Sequence, residues 1–380
     1  MDNNKKERLI ISCLVLNSSS SGYKTIIKNL LLNSLQNKTL NYKNIFVFQK
    51  NGWDSLGVNM QMYISNNSTK IIIINSFKSK WVRAFIEQIL INLLALFYRC
   101  NYIFMPCTFG LIFPLKKTIT FVHTNTSFRL PRYLRGRNFL QQIAHNIMIK
   151  ITARTSYKLL FTSKVTKDEY ITYTRIKDHS KIFLLRNGVN IKRFISGNLS
   201  QVNALKNKKF FLSVSQIYRL KNFDTLIKSY LKLIKNNSEL SNINLVIVGT
   251  VQEEDYFDEL LHLAEKNKNI IFLHNVSDEE LNWLYKNCEI YVFLSLFEGF
   301  SLTPAEALCS GKNVILSDIE VHREIYKNLV NFVDPHSVDS ICNAMLNRES
   351  FSIPLDLKKQ FISELSIDRF IDRLYSIIFN

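Results

Sequence analysis

The feature that most constrains this chain is a rhythm. Short apolar runs alternate with amphipathic stretches, pause near residue 190, and begin again. Runs such as Leu9 to Leu16 and Leu245-Val246-Ile247-Val248 are apolar at nearly every consecutive position. They lack the in/out alternation of a half-exposed strand and suit parallel strands covered on both faces. In the first half, strands are expected at 9–16, 44–49, 70–75, 102–105, 118–123 and 158–162, and helices at 23–35, 80–99 and 138–154. In the second half, strands are expected at 210–215, 244–249, 270–273, 290–295 and 314–317, with helices at 224–235, 256–267, 278–287, 304–309 and 367–378. Such alternation makes parallel α/β sheets. The chain of 380 residues has room for two cores. The expected fold class is therefore α/β, with two Rossmann-like domains and a deep cleft between them. The first domain is set at 1–190, closing on the Asn187-Gly188 turn, and a polar linker follows at 191–208. The second domain is set at 209–360, and a C-terminal helix within 361–380 is expected to pack back on the first domain.

Charge is the next constraint. Residues 1–200 hold 30 Lys and Arg against 7 Asp and Glu, whereas residues 201–380 hold 19 against 24. No acidic residue occurs between Glu87 and Asp168. A basic first half attracts an anionic surface, such as a membrane, a phosphorylated acceptor or nucleic acid. Lys116, Lys117, Arg129, Arg132, Arg135 and Arg137 are the candidate membrane contact, with a solvated charged face as the equal alternative. Nucleic-acid binding is a competing class, but there is no zinc-finger spacing and no aromatic RNP-type motif. The apolar stretch Trp81 to Cys100 is interrupted by Arg83, Glu87, Gln88 and Asn92. The uninterrupted apolar part is too short to span a bilayer, and the stretch reads first as a buried core helix, second as an interfacial one. The six cysteines form no Cys-x-x-Cys pair, which suits reduced thiols in a cytosolic protein.

The segment from Tyr291 to Leu308 carries the chemistry: a buried strand, a tight loop, then a helix. Thr303 is the expected N-cap and Pro304 the expected first helical residue. Amides at such a helix start have no intrahelical partners and, with the helix dipole, make a phosphate site. Gly299 permits close backbone approach, and Glu298 sits where a sugar hydroxyl could be gripped. Thr303-x-x-Glu306 also fits a capping box, so Glu306 reads locally as a helix cap or as a ligand contact.

Glu298 and Glu306, within Glu-Gly-Phe-Ser-Leu-Thr-Pro-Ala-Glu-Ala, closely resemble the Glu-x7-Glu motif of family-4 retaining glycosyltransferases, which have the GT-B fold. Asn187-Gly188-Val189-Asn190 with Phe194, Phe211 to Ser215, Lys221 to Ile227, Leu245 to Gly249 and Val276 to Leu281 resemble further stretches of that family, in order. Thr120 to His123 resembles the strand bearing its active-site histidine, and Ser21-Gly22 its acceptor-side glycine loop. The resemblance implies transfer of a sugar, with retention, from a UDP- or GDP-linked donor to a glycan or lipid-linked acceptor in cell-envelope polysaccharide synthesis, such as lipopolysaccharide or capsule. It implies no cofactor and no metal, and no Asp-x-Asp signature is present. It implies a cytoplasmic protein, peripheral at the inner membrane face, with no nucleic-acid partner. Lys221 would neutralise the diphosphate, Glu298 would hold the transferred sugar, and Glu306 would hold the ribose. His123 would line the transfer site, although locally it reads as a satisfied core histidine. Gln216, Gly249, Val276 and the run Gly299, Phe300, Ser301, Leu302 and Thr303 would line the donor site. Where the family commonly has Gly-Arg, this chain has Ser215-Gln216, so Arg219 is the candidate replacement cation. An inactive GT-B relative is the remaining alternative.

Overall fold

The computed structural model describes residues 6–16, 21–36, 42–57, 69–123, 139–264, 267–350 and 353–380. The chain forms two compact units, residues 1–187 with 370–380, and residues 188–369.

In the first unit the strands are β1 (Glu7–Ser12), β2 (Tyr42–Gln49), β3 (Thr69–Ile74), β4 (Tyr102–Met105), β5 (Lys117–Val122), β6 (Lys158–Phe161) and β7 (Ile182–Leu184). The helices are α1 (Ser21–Gln36), α2 (Lys50–Asp54), α3 (Lys80–Phe97), α4 (Phe139–Thr155) and α5 (Lys164–Thr174). All strand pairs are parallel, in the order β3-β2-β1-β4-β5-β6-β7. The central strands are largely apolar because helices cover both faces: Leu9, Ile10, Ile11, Ile103 and Phe104 have no exposed surface.

The second unit holds α6 (Ile191–Ser196), β8 (Phe210–Val214), α7 (Phe223–Asn236), β9 (Asn244–Val248), α8 (Glu254–Ala264), β10 (Ile270–Leu273), α9 (Asp278–Asn287) and β11 (Ile290–Phe293). It continues with α10 (Leu302–Cys309), β12 (Val314–Ser317), α11 (Glu320–Tyr326), β13 (Asn331–Val333), α12 (Val338–Leu346), α13 (Leu355–Glu364) and α14 (Ile367–Phe379), the last of which runs on into the first unit. The sheet order is β10-β9-β8-β11-β12-β13, again all parallel. Strand order reverses between β8 and β11, and ligands of open α/β sheets bind beyond the carboxyl ends at such a point. This architecture is the α/β, GT-B type expected. Helix α7 shows why the pattern works: Leu226, Ile227, Tyr230 and Leu233 recur at helical spacing and are buried, while Lys228 faces solvent.

Three sequence expectations change. Residues 191–208 are packed parts of the second unit rather than a polar linker: Phe194 stacks edge-on to Tyr285 at 5.6 Å, and Leu205 is fully buried. Their few apolar residues are spaced too widely to register as an element. Helix α3 is not a buried core helix. It buries Glu87, Ile91, Asn92 and Ala95, yet Trp81, Phe85, Ile89, Leu93, Leu96 and Phe97 are exposed. Apolar composition alone could not tell which face would find a partner. The short edge strands β7 and β13 were not anticipated, because three residues carry too little pattern.

The C-terminal segment is tied to the first unit by polar bonds. Asn44 Nδ2 donates to Tyr375 Oη at 2.8 Å, Tyr375 Oη lies 3.3 Å from Ser34 Oγ, and Lys158 Nζ donates to Ile377 O at 2.6 Å.

Gly249 follows β9 where only hydrogen fits, since a Cβ there would lie 1.7 Å from Ser215 O. Gly249→Ala must push the ends of β8 and β9 apart, at a cost of about 2 kcal/mol or more. Thermal melting should show the second unit's transition lowered by several degrees. An unchanged melt would mean that this contact is not tight.

Candidate functional site

The second unit's site is built from two loops at the strand-order reversal. After β8 the chain passes through a turn of 3-10 helix, Arg219–Lys221, and Asn222 then adopts a left-handed conformation (φ 58°) that starts α7. Asn222 makes this affordable by bonding outward: its Nδ2 donates to Pro335 O at 2.7 Å, and its Oδ1 accepts from Thr225 Oγ1 at 2.6 Å. After β11, Ser295 Oγ and Leu296 N both donate to Leu220 O, at 3.1 and 2.8 Å. These two bonds clip the second loop to the first. They bring Lys221 Nζ onto Glu298 Oε1 as an ion pair whose side chains are only 10% and 14% exposed.

Burial alone would push the Lys221 ammonium down, but Glu298 and Tyr218 outweigh it and hold the group above its ordinary value. The lysine is cationic across the physiological range. It lies over the rings of Tyr218 and Phe293, 5.3 and 5.2 Å from their centroids.

Next to the pair, α10 begins at Leu302, one residue before the expected N-cap. Ser301 is the N-cap, so Thr303 and Pro304 are the second and third helical residues, and Glu306 falls outside a capping box. The left-handed turn at Ser301 (φ 71°) decides this, and no glycine marks it in the sequence. Ser301 is held from α11: its Oγ lies 2.9 Å from His322 Nε2, and Tyr326 Oη donates to its carbonyl. His322 Nδ1 is 3.0 Å from Ser317 O, which makes Nδ1 the protonated nitrogen and Nε2 the acceptor for Ser301. The amides of Leu302 and Thr303 lie in the first turn, where no intrahelical acceptor exists.

Glu306 is 9% exposed and accepts from Tyr285 Oη at 2.9 Å. Burial raises its carboxyl, while the Arg193 charge and the Tyr285 bond oppose the rise. Arg193 is held by Asn282 Oδ1 at 3.0 Å and Asp278 at 3.2 Å. The capping box instead occurs at α9, between Ser277 and Glu280, immediately after half-buried Val276.

The structure thus gathers Lys221, Glu298, Gly299, Ser301, Leu302 and Thr303 around one loop pair. Phe300 is buried. Gln216 and Gly249 lie side by side at the ends of β8 and β9: a Cβ on Gly249 would stand 3.3 Å from Gln216 N. Arg219 is turned to α8 instead, where its guanidinium bonds Glu259 at 2.8 and 2.6 Å and Asp255 at 3.2 Å. In the first unit, Ser21 and Gly22 open α1. His123 follows β5 and packs on Phe121 and Tyr23 at 4.0 and 4.6 Å. Its Nε2 is buried with no hydrogen-bond partner among the described residues, and burial lowers its ring to about 3. Lys116 is half-buried and Lys117 exposed, while Arg129, Arg132, Arg135 and Arg137 lie outside the described residues. His322, Tyr326, Tyr285 and Arg193 were missed in the sequence, because each acts through a neighbour distant along the chain.

Residues 197–350 match the family model described as glycosyl transferases group 1. Over that stretch the chain is similar to the group 1 glycosyltransferases. It is 28% identical over 267 residues to the O-antigen chain mannosyltransferase RfbU of Salmonella typhimurium, across 70% of each chain. It is 28% identical over 224 residues to the serotype-specific mannosyltransferase WbdA of Escherichia coli, covering 56% of this chain and 27% of the relative. Anabaena Alr3699/HepE, solved in complex with UDP and glucose, superposes with a TM-score of 0.71 at 10% identity, over 97% of this chain and 98% of that one. That likeness carries the GT-B fold and nothing finer.

The buried His322 is expected to make the second unit acid-sensitive. Burial lowers its ring to about 4 in the folded chain. Below about pH 6.5 the unfolded chain takes up a proton that the folded one refuses, so stability is full above that pH and falls towards pH 4 by about 1.4 kcal/mol per unit. Denaturant unfolding at pH 7, 6 and 5 should show this slope, and His322→Gln should make it shallower, leaving the share that buried His123 contributes. An equal slope in the variant would mean that another group is responsible.

Proposed function

We propose that this protein transfers mannose, with retention, from a nucleoside diphosphate to a hydroxyl of a lipid-linked glycan in cell-envelope polysaccharide synthesis. The observation that carries this reading is the buried Lys221–Glu298 pair beside the start of α10. The mannose assignment draws support from the likeness to RfbU and WbdA, both mannosyltransferases.

Without a donor, the cation and the carboxylate neutralise each other. An arriving diphosphate would draw the Lys221 ammonium towards its oxygens and free the Glu298 carboxylate for a sugar hydroxyl. Binding would thereby exchange one ion pair for two charge-assisted contacts. As the glycosidic bond breaks, negative charge grows on the diphosphate. Lys221 and the Leu302 and Thr303 amides are fixed in advance to receive it, and such preorganised groups lower the barrier most where water is scarce. Those same groups would serve in place of a metal. Glu306, oriented by Tyr285, would accept a hydrogen bond from the nucleotide ribose. Gln216 and Val276 would border the diphosphate and the base, Ser21 and Gly22 the acceptor, and His123 the transfer site. Arg219 could reach the diphosphate only by leaving Glu259 and Asp255.

The test is donor consumption and thermal stabilisation with a panel of GDP- and UDP-sugars, using a lipid-linked oligosaccharide acceptor. A mannose donor should be turned over and should raise the melting temperature, in EDTA as well as without it. Lys221→Ala should lower kcat by about 100-fold or more, and Glu306→Ala should mainly raise donor KM. Turnover of a non-mannose donor would overturn the sugar assignment. Absence of any donor-induced shift would overturn the transfer reading.

Arg219→Ala separates two roles for that side chain. A marked rise in donor KM would make Arg219 a diphosphate contact. Unchanged kinetics would leave it a surface partner of α8.

A further inference from the structure

Helix α3 presents two opposite faces to two different environments. Its inner face packs Ile91 and Ala95 against Ile10, Ile45 and Ile103. Its outer face carries Trp81, Phe85, Ile89, Leu93, Leu96 and Phe97, exposed by 55, 68, 49, 56, 46 and 77%. Steps of three and four keep these six on one stripe, which runs about 24 Å along the helix. Single exposed apolar residues are ordinary, but a contiguous stripe of large ones marks a surface with a partner.

The loop after β4 widens the stripe. Two polar side chains of α3 fasten this loop: Gln88 Oε1 accepts from Ile112 N at 2.7 Å, and Asn92 bridges Phe113 O at 3.0 Å and Leu115 N at 2.9 Å. The clamp sets Phe113, 82% exposed, and Leu115, 57% exposed, beside the helix. These two are therefore held outward by bonded backbone rather than left on a loose tip. Two of the polar residues that interrupt the apolar run in the sequence, Gln88 and Asn92, are the ones that make this clamp.

Charge identifies the occupant. Lys78, Lys80, Arg99 and Lys117 are exposed at the ends of the stripe and the loop. Between Asp54 and Asp168 the chain has a single acidic residue, Glu87, and it points inward to Ser12 Oγ. A second copy of this chain seated here by two-fold symmetry would set cation against cation with no carboxylate to pair them. An anionic lipid surface offers both what the aromatic and aliphatic stripe needs and what the lysines need. No helix among the described residues is long and apolar enough to cross a membrane, so α3 would lie on the bilayer rather than span it.

We propose that the outer face of α3, with Phe113 and Leu115, seats this protein on an anionic membrane, the apolar side chains among the acyl chains and the flanking lysines at the phosphates. This surface is distinct from the donor site, and the proposal does not rest on the identity of the sugar or the acceptor.

The test uses the full chain with vesicles of phosphatidylcholine alone or with one quarter phosphatidylglycerol, and no donor. Wild type should sediment with the anionic vesicles and much less with the neutral ones. Phe85→Ser/Leu93→Ser/Phe97→Ser should bind about 100-fold or more weakly while melting at the wild-type temperature. Should that variant misfold, a chain carrying Trp53→Phe and Trp283→Phe leaves Trp81 as the only tryptophan. Its fluorescence should then be quenched by brominated acyl chains. Wild-type binding in the folded triple variant, or no quenching of Trp81, would overturn the proposal. So would a wild-type dimer that the triple substitution makes monomeric, which would assign the face to a second copy.

Discussion

The site depends on two hydrogen bonds to one carbonyl. Leu220 O receives both Ser295 Oγ and Leu296 N, and so joins the loop after β8 to the loop after β11. These strands are neighbours in the sheet although some 75 residues separate them in sequence, as the sequence distance of 75 between Leu220 and Ser295 records. Without that joint, Lys221 and Glu298 would be two solvated charges on separate loops, and exposed pairs of this kind are worth little. With it, they form an ion pair largely removed from water. A buried pair is weak evidence of stability, because desolvation offsets much of the attraction. The arrangement makes more sense as a charged site kept in register for a ligand that can engage both partners.

The same logic extends outward from the pair. Ser301 would be costly in its left-handed conformation if it stood alone, since residues with a Cβ avoid that region. His322 and Tyr326 hold its hydroxyl and its carbonyl, and Ser317 in turn bonds both His322 and the Ser295 carbonyl, at 2.6 Å to the latter. A chain of bonds therefore runs from α11 through Ser317 back to the clip on Leu220. Buried polar networks of this kind are favourable only when nearly every member is satisfied. The donor-side loop is thus specified by contacts from β12 and α11 as much as by its own residues.

The first unit solves a different problem with similar means. Helix α3 must bury one face on a parallel sheet while leaving a second apolar face uncovered. Glu87, Gln88 and Asn92 sort the two: Glu87 turns inward to Ser12, where burial raises its carboxyl, while Gln88 and Asn92 reach sideways to the loop after β4. The polar residues in an otherwise apolar helix are structural fasteners, and they fix which stripe is left to the outside.

Much of this was legible in the sequence. Consecutive apolar runs identified most strands, because a strand covered on both faces favours apolar residues at nearly every position. The spacing from Glu298 to Glu306, set in its glycine-containing loop, resembles the motif of family-4 retaining glycosyltransferases, and Lys221 stands in a recognisable place relative to it. What the sequence left open was every choice between two partners. Glu306 fitted a capping box until the left-handed turn at Ser301 moved the helix start and gave its carboxylate to Tyr285. Arg219 was a free cation until α8 brought Glu259 and Asp255 to it. Helix α3 read as core until the sheet took only one of its faces. Local pattern determines which residues want burial or a charge. Only the tertiary structure decides which of several eligible neighbours supplies it, because those neighbours are tens to hundreds of residues away and leave no mark in the local sequence.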